Sequence, residues 1–92
     1  MIRVNCFFLA KAGEYKRGLE AAIALVAKSR SHNGCVSYDA FESATRPDVF
    51  AIVETWESQA ALDAHMETPE FKEYVGIMQE CGELKVEVME KK

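Results

Sequence analysis

Hydrophobic and polar positions follow two periods along the chain and divide it into strands and helices. Apolar residues on both alternating faces predict strands at positions 2–10, 35–43 and 49–56. Near the end of the chain, Leu84 and Val86 alternate with polar neighbours and predict a fourth strand. Apolar residues at three- and four-residue steps predict a first helix over positions 14–31, with a buried stripe of Tyr15, Leu19, Ala22, Ile23 and Val26.

Residues that favour helix ends mark the remaining boundaries. Ser58 is predicted to cap a short helix over positions 59–67. Thr68 followed by Pro69 predicts that a second helix begins directly afterwards, and Gly82 is predicted to end it.

The predicted order of elements is β-α-β-β-α-β with the second helix divided in two, which is the ferredoxin-like arrangement of an α+β domain. A single domain is expected to span residues 1–92. Helices cover one face of such a sheet, yet three of the predicted strands are apolar on both faces. We therefore expect a second copy of the chain to cover the other face, which would give a homodimeric α+β barrel.

Composition narrows the classes of partner. The net charge is -4 and the only basic cluster is Lys91–Lys92, which disfavours nucleic acid as a partner. The apolar runs are far shorter than the roughly 20 residues that span a bilayer. No charged segment followed by a long apolar core begins the chain, so we expect a cytoplasmic protein without a membrane partner.

Cysteine and histidine spacing argues against a metal centre. Cys6, Cys35 and Cys81 are widely separated, and we interpret them as reduced thiols that behave as small hydrophobes. His32 and His65 are the two histidines, and no spacing typical of metal ligands surrounds them. The sequence therefore predicts no metal site.

Polar residues within apolar segments are the candidates for chemistry. His65 could exchange a proton with a bound phenol or quinol, or could be a structural histidine that tethers a helix. Trp56 and Glu54 share one strand face and could form an aromatic wall and a hydrogen-bond acceptor; alternatively Trp56 is core and Glu54 makes an ion pair. Asn5 lies in an apolar strand, where its amide must bond either backbone or a ligand. The further residues predicted to bind a planar aromatic substrate are Phe7, Tyr38, Phe71, Tyr74 and Met78.

The residues from Glu54 to Phe71 carry a specific pattern, E-x-W-x-S-x-x-A-L-x-x-H-x-x-T-P-x-F, and Gly34-Cys35-x-x-Tyr38 precedes it. In this combination the chain resembles the antibiotic biosynthesis monooxygenase family. The resemblance implies a dimeric ferredoxin-like protein that oxidises anthrones or quinols with molecular oxygen and uses neither a metal nor a flavin.

By the same resemblance, Asn5, Trp56 and His65 are expected to be catalytic residues that line the family's pocket. His32 and Asn33 stand where the family often has an acidic residue before Gly-Cys. Val75 occupies the position of the axial histidine of haem-degrading relatives, which disfavours haem.

The sequence thus predicts a cofactor-independent monooxygenase of small aromatic or quinol-type substrates. The alternative is a dimeric protein that binds aromatic or quinone metabolites without converting them.

Overall fold

Seven elements follow one another within residues 1–90, the part of the chain that this computed structural model describes. In chain order they are β1 (Ile2–Ala10), α1 (Tyr15–Ser29), β2 (Cys35–Glu42), β3 (Val49–Trp56), α2 (Gln59–Met66), α3 (Pro69–Cys81) and β4 (Gly82–Glu90). This is the predicted ferredoxin-like order with a divided second helix, so the prediction of the fold class is confirmed. No helix among the described residues has the length and apolar content that a membrane crossing requires.

The strands form one sheet in the order β2-β3-β1-β4, and every neighbouring pair is antiparallel. Successive side chains of a strand point to opposite faces, so the register assigns each residue to a face. We call the side covered by the helices the helix face; it carries Val4, Cys6, Phe8, Phe50, Ile52, Glu54 and Trp56. We call the other side the open face; it carries Arg3, Asn5, Phe7, Leu9, Val49, Ala51, Val53 and Thr55.

Helix α1 packs on the helix face through small and aliphatic residues. Its buried positions are Gly18, Ala21, Ala22, Leu25, Val26 and Ser29. The predicted place of Ile23 in this stripe is wrong, because its side chain is 56% exposed. The buried stripe follows Gly18, Ala22 and Leu25, and a helical step of about 100° turns Ile23 away from it.

Side-chain caps begin α2 and α3 where the sequence predicts them. The Ser58 hydroxyl accepts a hydrogen bond from the backbone N–H of Ala61 at 3.1 Å. The Thr68 hydroxyl accepts one from the N–H of Phe71 at 3.2 Å. Each cap satisfies a backbone donor that the first helical turn leaves without a partner.

Gly82 joins α3 to β4 without a loop, because the helix ends at Cys81 and the strand begins at the next residue. A β-carbon at Gly82 would collide with the carbonyl oxygen of Leu9 in β1. Glycine is therefore required by the close approach of β1 and sets the position of β4 beside it.

The layer between sheet and helices has two unlike ends. At the closed end, which comprises Tyr15, Gly18, Phe8 and Phe50, the rings of Phe8 and Phe50 stack with their centroids 4.5 Å apart. The site end comprises Tyr38, Glu54, Trp56 and His65, all of them buried.

Helices leave part of the sheet uncovered. Val86 and Val88 belong to the helix face by register, yet they are 57% and 54% exposed. On the open face, Phe7 and Phe41 are 40% and 57% exposed.

Candidate active site

A cavity of about 110 Å³ lies at the site end, between the helix face and helices α2 and α3. Its surface is almost entirely apolar, and its lining is formed by Val4, Cys6, Leu25, Tyr38, Ile52, Glu54, Leu62, His65, Met66, Phe71, Val75, Met78, Leu84 and Val86. Met66 and Val86 are the exposed members of this lining. The lining is therefore nearest to solvent at these two side chains, one on α2 and the other on β4.

A larger depression of about 520 Å³ lies at the sheet near Phe7, Leu9 and Val49. Its charged lining residues, such as Arg46 and Lys85, are exposed to solvent. Because none of its described lining residues is a buried titratable side chain, we assign the candidate active site to the smaller cavity.

His65 is held at the centre of the site end by aromatic rings. Its side chain is 1% exposed, and its ring centroid lies 4.5 Å from Trp56 and 4.9 Å from Phe71. The hydroxyl of Thr68 donates a hydrogen bond of 2.7 Å to the His65 carbonyl oxygen and secures the end of α2. The ring orientation is therefore fixed by packing.

The two ring nitrogens of His65 have different surroundings. Nδ1 lies 2.8 Å from Nδ1 of His32, and Nε2 of His32 lies 2.7 Å from a carboxylate oxygen of Glu70. Nε2 of His65 is buried and has no hydrogen-bond partner among the described residues. His65 lines the cavity, and since buried polar atoms are normally paired, this nitrogen is the candidate atom of the residue for contact with a ligand.

The pKa of His65 is lowered from 6.5 to about 4, mainly by burial and in smaller part by His32, while Glu70 opposes the change. The imidazole of His65 is consequently neutral near pH 7. A neutral imidazole nitrogen in a dry cavity can accept a proton or a hydrogen bond.

Glu54 brings a carboxyl group to the same end of the core. It is 5% exposed, and the indole N–H of Trp56 donates a hydrogen bond of 2.7 Å to it. The pKa of Glu54 is raised from 4.5 to about 7, because the effect of burial outweighs the hydrogen bonds from Trp56 and Tyr38, which lower it. Among the described residues, the partners of Glu54 are these uncharged donors, and no ion pair of the carboxylate is present there.

Cys6 also lines the cavity. The pKa of its thiol is raised to about 11, mainly by burial and in smaller part by the nearby Glu54. The thiol is therefore protonated and poorly nucleophilic. Cys6 contributes shape to the cavity rather than reactivity.

The structure brings together most, but not all, of the predicted site residues. Those that line the cavity are Tyr38, Glu54, His65, Phe71 and Met78. Trp56 is fully buried and contacts His65 from the core side.

Asn5, Phe7 and Tyr74 require correction as residues of a shared cavity. Asn5 pairs with Val53 and Phe7 with Ala51, so both belong to the open face. A β-strand alternates its side chains, and β1 directs Val4 and Cys6 to the cavity instead. Tyr74 on α3 packs partly against the core but does not line the cavity.

Sequence reasoning missed several members of the site, among them His32, Glu70 and Val75. His32 reaches His65 from the segment between α1 and β2, and no local spacing predicts that contact. Val75 lines the cavity, whereas the sequence indicated only that this position is not the histidine of haem-degrading relatives. Glu70 follows Pro69 in the first turn of α3, where an acidic residue already has a local role at the helix dipole. Within the described residues, no group of three His, Cys, Asp or Glu side chains is placed to hold a metal ion.

Comparisons with known proteins identify the family. The sequence pattern of the family described as "Antibiotic biosynthesis monooxygenase" matches residues 1–76. A Bacillus subtilis protein, "Putative monooxygenase YcnE", is 32% identical over 75 residues, which cover 82% of this chain and 79% of that protein. The Synechocystis "Uncharacterized protein sll1783" is 47% identical over 47 residues, which cover 51% of this chain and only 32% of that protein.

Solved structures agree with this assignment. A Bacteroides thetaiotaomicron protein of unknown function, described as a possible oxidoreductase, has a TM-score of 0.93 and 45% identity. The match covers 96% of this chain and 94% of that protein's chain. A crystal structure described as an antibiotic biosynthesis monooxygenase has a TM-score of 0.91 and 28% identity. The match covers 99% of this chain and 98% of that protein's chain.

Proposed function

Because the chain belongs to the antibiotic biosynthesis monooxygenase family, we propose that it is a cofactor-independent monooxygenase of small aromatic, quinol-type substrates. The observation that supports this most directly is the buried Nε2 of His65, which has no hydrogen-bond partner among the described residues and belongs to a side chain that lines an apolar, aromatic-walled cavity. Such a cavity can enclose a flat aromatic ring, and the nitrogen can accept a hydrogen bond from a hydroxyl group on that ring.

His65 acts as the general base in this proposal. It accepts the proton of a substrate hydroxyl, and the resulting electron-rich anion reduces molecular oxygen directly. For a quinol, one oxygen atom enters the ring and the other leaves as water, so that quinol and oxygen give hydroxyquinone and water. The substrate supplies all four electrons, and no external reductant is needed.

Cavity volume limits the substrate. A cavity of roughly 150 Å³ binds benzene in another protein, whereas the cavity here measures about 110 Å³. The enclosed space is thus no larger than a single ring requires, so we expect a one-ring substrate whose substituents lie toward the exposed side chains of Met66 and Val86. Met66 is flexible enough to adjust to substituents there.

The deciding measurement is oxygen uptake by purified protein with a panel of one- and two-ring quinols, together with metal and haem analysis. We expect uptake proportional to protein concentration, substoichiometric metal, and a loss of about 100-fold or more in His65→Ala, as for removal of a general base. Asp63→Asn, an exposed change on the same helix, should retain full turnover.

Absence of uptake across the panel, together with thermal stabilisation by some quinols, would contradict the proposal. It would favour the alternative, a protein that binds aromatic metabolites without turnover. Stoichiometric metal or haem that supports uptake would contradict the cofactor-independent mechanism.

We further propose that the protein is a homodimer joined through the open faces. Phe7, Leu9 and Phe41 expose apolar side chains there, and Phe41 is 57% exposed. Burial of such a face against its own copy is the simplest way to remove this surface from water. Light scattering should give twice the chain mass for the parent protein and one chain mass for Phe41→Asp. A monomeric parent protein would contradict this arrangement.

A further inference from the structure

Three side chains form a continuous hydrogen-bonded series from the cavity toward the protein surface. His65 is 1% exposed, while the side chains of His32 and Glu70 are 14% and 31% exposed. The two hydrogen bonds measure 2.8 Å between the histidines and 2.7 Å between His32 and Glu70. Each residue comes from a different segment, so the tertiary fold creates the series.

The ionisation of Glu70, at the outer end of the series, determines which ring nitrogens of His32 and His65 carry hydrogen. The pKa of Glu70 is held below its ordinary value, first by its own backbone N–H and then by the hydrogen bond from His32. Lys28 adds a smaller attraction in the same direction. An ionised carboxylate only accepts hydrogen bonds, so Nε2 of His32 carries a hydrogen.

The remaining tautomers follow from that assignment. A neutral His32 with hydrogen on Nε2 presents the lone pair of Nδ1. Nδ1 of His65 must then donate to it, which leaves Nε2 of His65 unprotonated. The hydrogen-bond series thus leaves a basic lone pair on Nε2 of His65, a residue that lines the cavity.

We propose that His32 and Glu70 are positioning residues that form a proton relay with His65, an inference that rests on the proposed function. As Nε2 of His65 takes the hydroxyl proton of the substrate, the proton on its Nδ1 passes to Nδ1 of His32. One N–H bond forms and one breaks at His65, so its ring stays neutral. His32 becomes an imidazolium whose partner is the Glu70 carboxylate.

This route avoids a buried charge on His65. Burial is the main cause that lowers the pKa of His65 to about 4, so an isolated imidazolium there is disfavoured. His32 and Glu70 lie nearer to solvent and form an ion pair when the proton arrives. The proton removed from the substrate is therefore held where its charge is best compensated.

The first test is the tautomeric state of both rings in the free protein, measured by nitrogen-15 NMR at neutral pH. We expect hydrogen on Nδ1 of His65 and on Nε2 of His32. Hydrogen on Nε2 of His65 would overturn the relay, because no lone pair would then face the cavity. This measurement needs no substrate and does not depend on turnover.

The second test is the pH profile of oxygen uptake in Glu70→Gln and His32→Gln. The amide oxygen that Glu70→Gln introduces can still accept from His32, but it lacks the charge that stabilises an imidazolium, so we expect a loss of about tenfold or more. The acid limb of the profile should move to lower pH, as the relay binds its proton less tightly. His32→Gln should lose at least as much, since an amide cannot accept the proton.

The control is Glu73→Gln, which removes an exposed carboxylate from the same helix. Its rate and profile should match those of the parent protein. Equal profiles in Glu70→Gln and Glu73→Gln would overturn the relay while leaving the monooxygenase intact. The expected tautomers without oxygen uptake in any variant would instead overturn the proposed function, and with it the role of the relay in turnover.

Discussion

The closed end and the site end share one sheet and one helix layer, yet they are built differently. At the closed end, Phe8 and Phe50 stack at 4.5 Å and Gly18 allows α1 to approach the Phe8 ring. At the site end the core contains titratable His65 and Glu54 and a cavity of about 110 Å³. The difference shows that this small domain concentrates its tight packing at one end and its chemistry at the other.

The largest expected effect is the loss of a ring at the closed end. Phe50 is 0% exposed, so Phe50→Ala should reduce the free energy of unfolding by about 3–5 kcal/mol. Phe71→Ala removes a half-buried ring beside existing space and should cost less, about 1–2 kcal/mol. Urea titration with an unchanged slope would measure both. Equal losses would contradict the distinction between the two ends.

A second difference is that between pH 4 and 7.5 the site end, but not the closed end, should change its contribution to the free energy of unfolding. The folded state keeps a proton on Glu54 between pH 4.5 and about 7, which the unfolded chain has released. Glu54 therefore makes the free energy of unfolding fall as pH rises through this range. His65 acts oppositely between pH 6.5 and about 4, because the unfolded chain binds a proton that the buried ring does not.

The opposing contributions of Glu54 and His65 to the pH dependence of the free energy of unfolding partly cancel in the parent protein. Variants that remove one of the two groups reveal the contribution of the other. Relative to the parent, Glu54→Gln should gain about 2–3 kcal/mol as pH rises from 4.5 to 7.5. His65→Gln should lose a similar amount, about 2–3 kcal/mol, as pH rises from 4 to 6.5. Denaturant titrations at four pH values would measure these differences. For Phe50→Ala, the plot of the free energy of unfolding against pH should be parallel to that of the parent protein. Parallel curves for all variants would contradict the burial of charge at the site end.

A methyl group added at two helical glycines should change the free energy of unfolding in opposite directions, depending on the space beside each glycine. A β-carbon at Gly18 would lie 2.6 Å from a Phe8 ring atom, so Gly18→Ala should destabilise the protein by about 1–3 kcal/mol despite its better helix propensity. Gly76 also lies in a helix, but a β-carbon there meets nothing within 4 Å. Gly76→Ala should therefore stabilise the protein by about 0.5–1 kcal/mol. Thermal unfolding of the matched pair tests both signs.

The smallest expected effect is a filled cavity. Val75 lines it, and Val75→Ile adds one methylene that can occupy empty space, with a gain of up to about 0.8 kcal/mol in the free energy of unfolding. The same change should raise the KM of one-ring quinols, because it removes volume that they need. A stability loss like that of Gly18→Ala would show that the site end is as tightly packed as the closed end.

Local patterns predicted the elements well because periodicity and caps act locally. Ser58 and Thr68 cap the helices that their positions indicated. Polar residues within apolar segments also identified His65 and Glu54 as members of the site. Each of these signals depends on neighbours in the sequence.

What the sequence did not reveal depends on the tertiary arrangement. In β1 both faces are apolar, so the pattern contains no information on whether Asn5 or Cys6 faces the helices. His32 meets His65 only after the segment between α1 and β2 folds against α2. Glu70 has a sufficient local explanation at a helix start, which concealed its contact with His32.

The alternation of β1 has a consequence for how relatives of this protein can diverge. Substitutions at Val4 and Cys6 alter the cavity, whereas substitutions at Asn5, Phe7 and Leu9 alter the opposite surface. Selection can therefore change the shape of the cavity and the opposite surface through adjacent codons with little interference between the two. An insertion of one residue within this strand would exchange the two sets and disrupt both properties in a single mutational event.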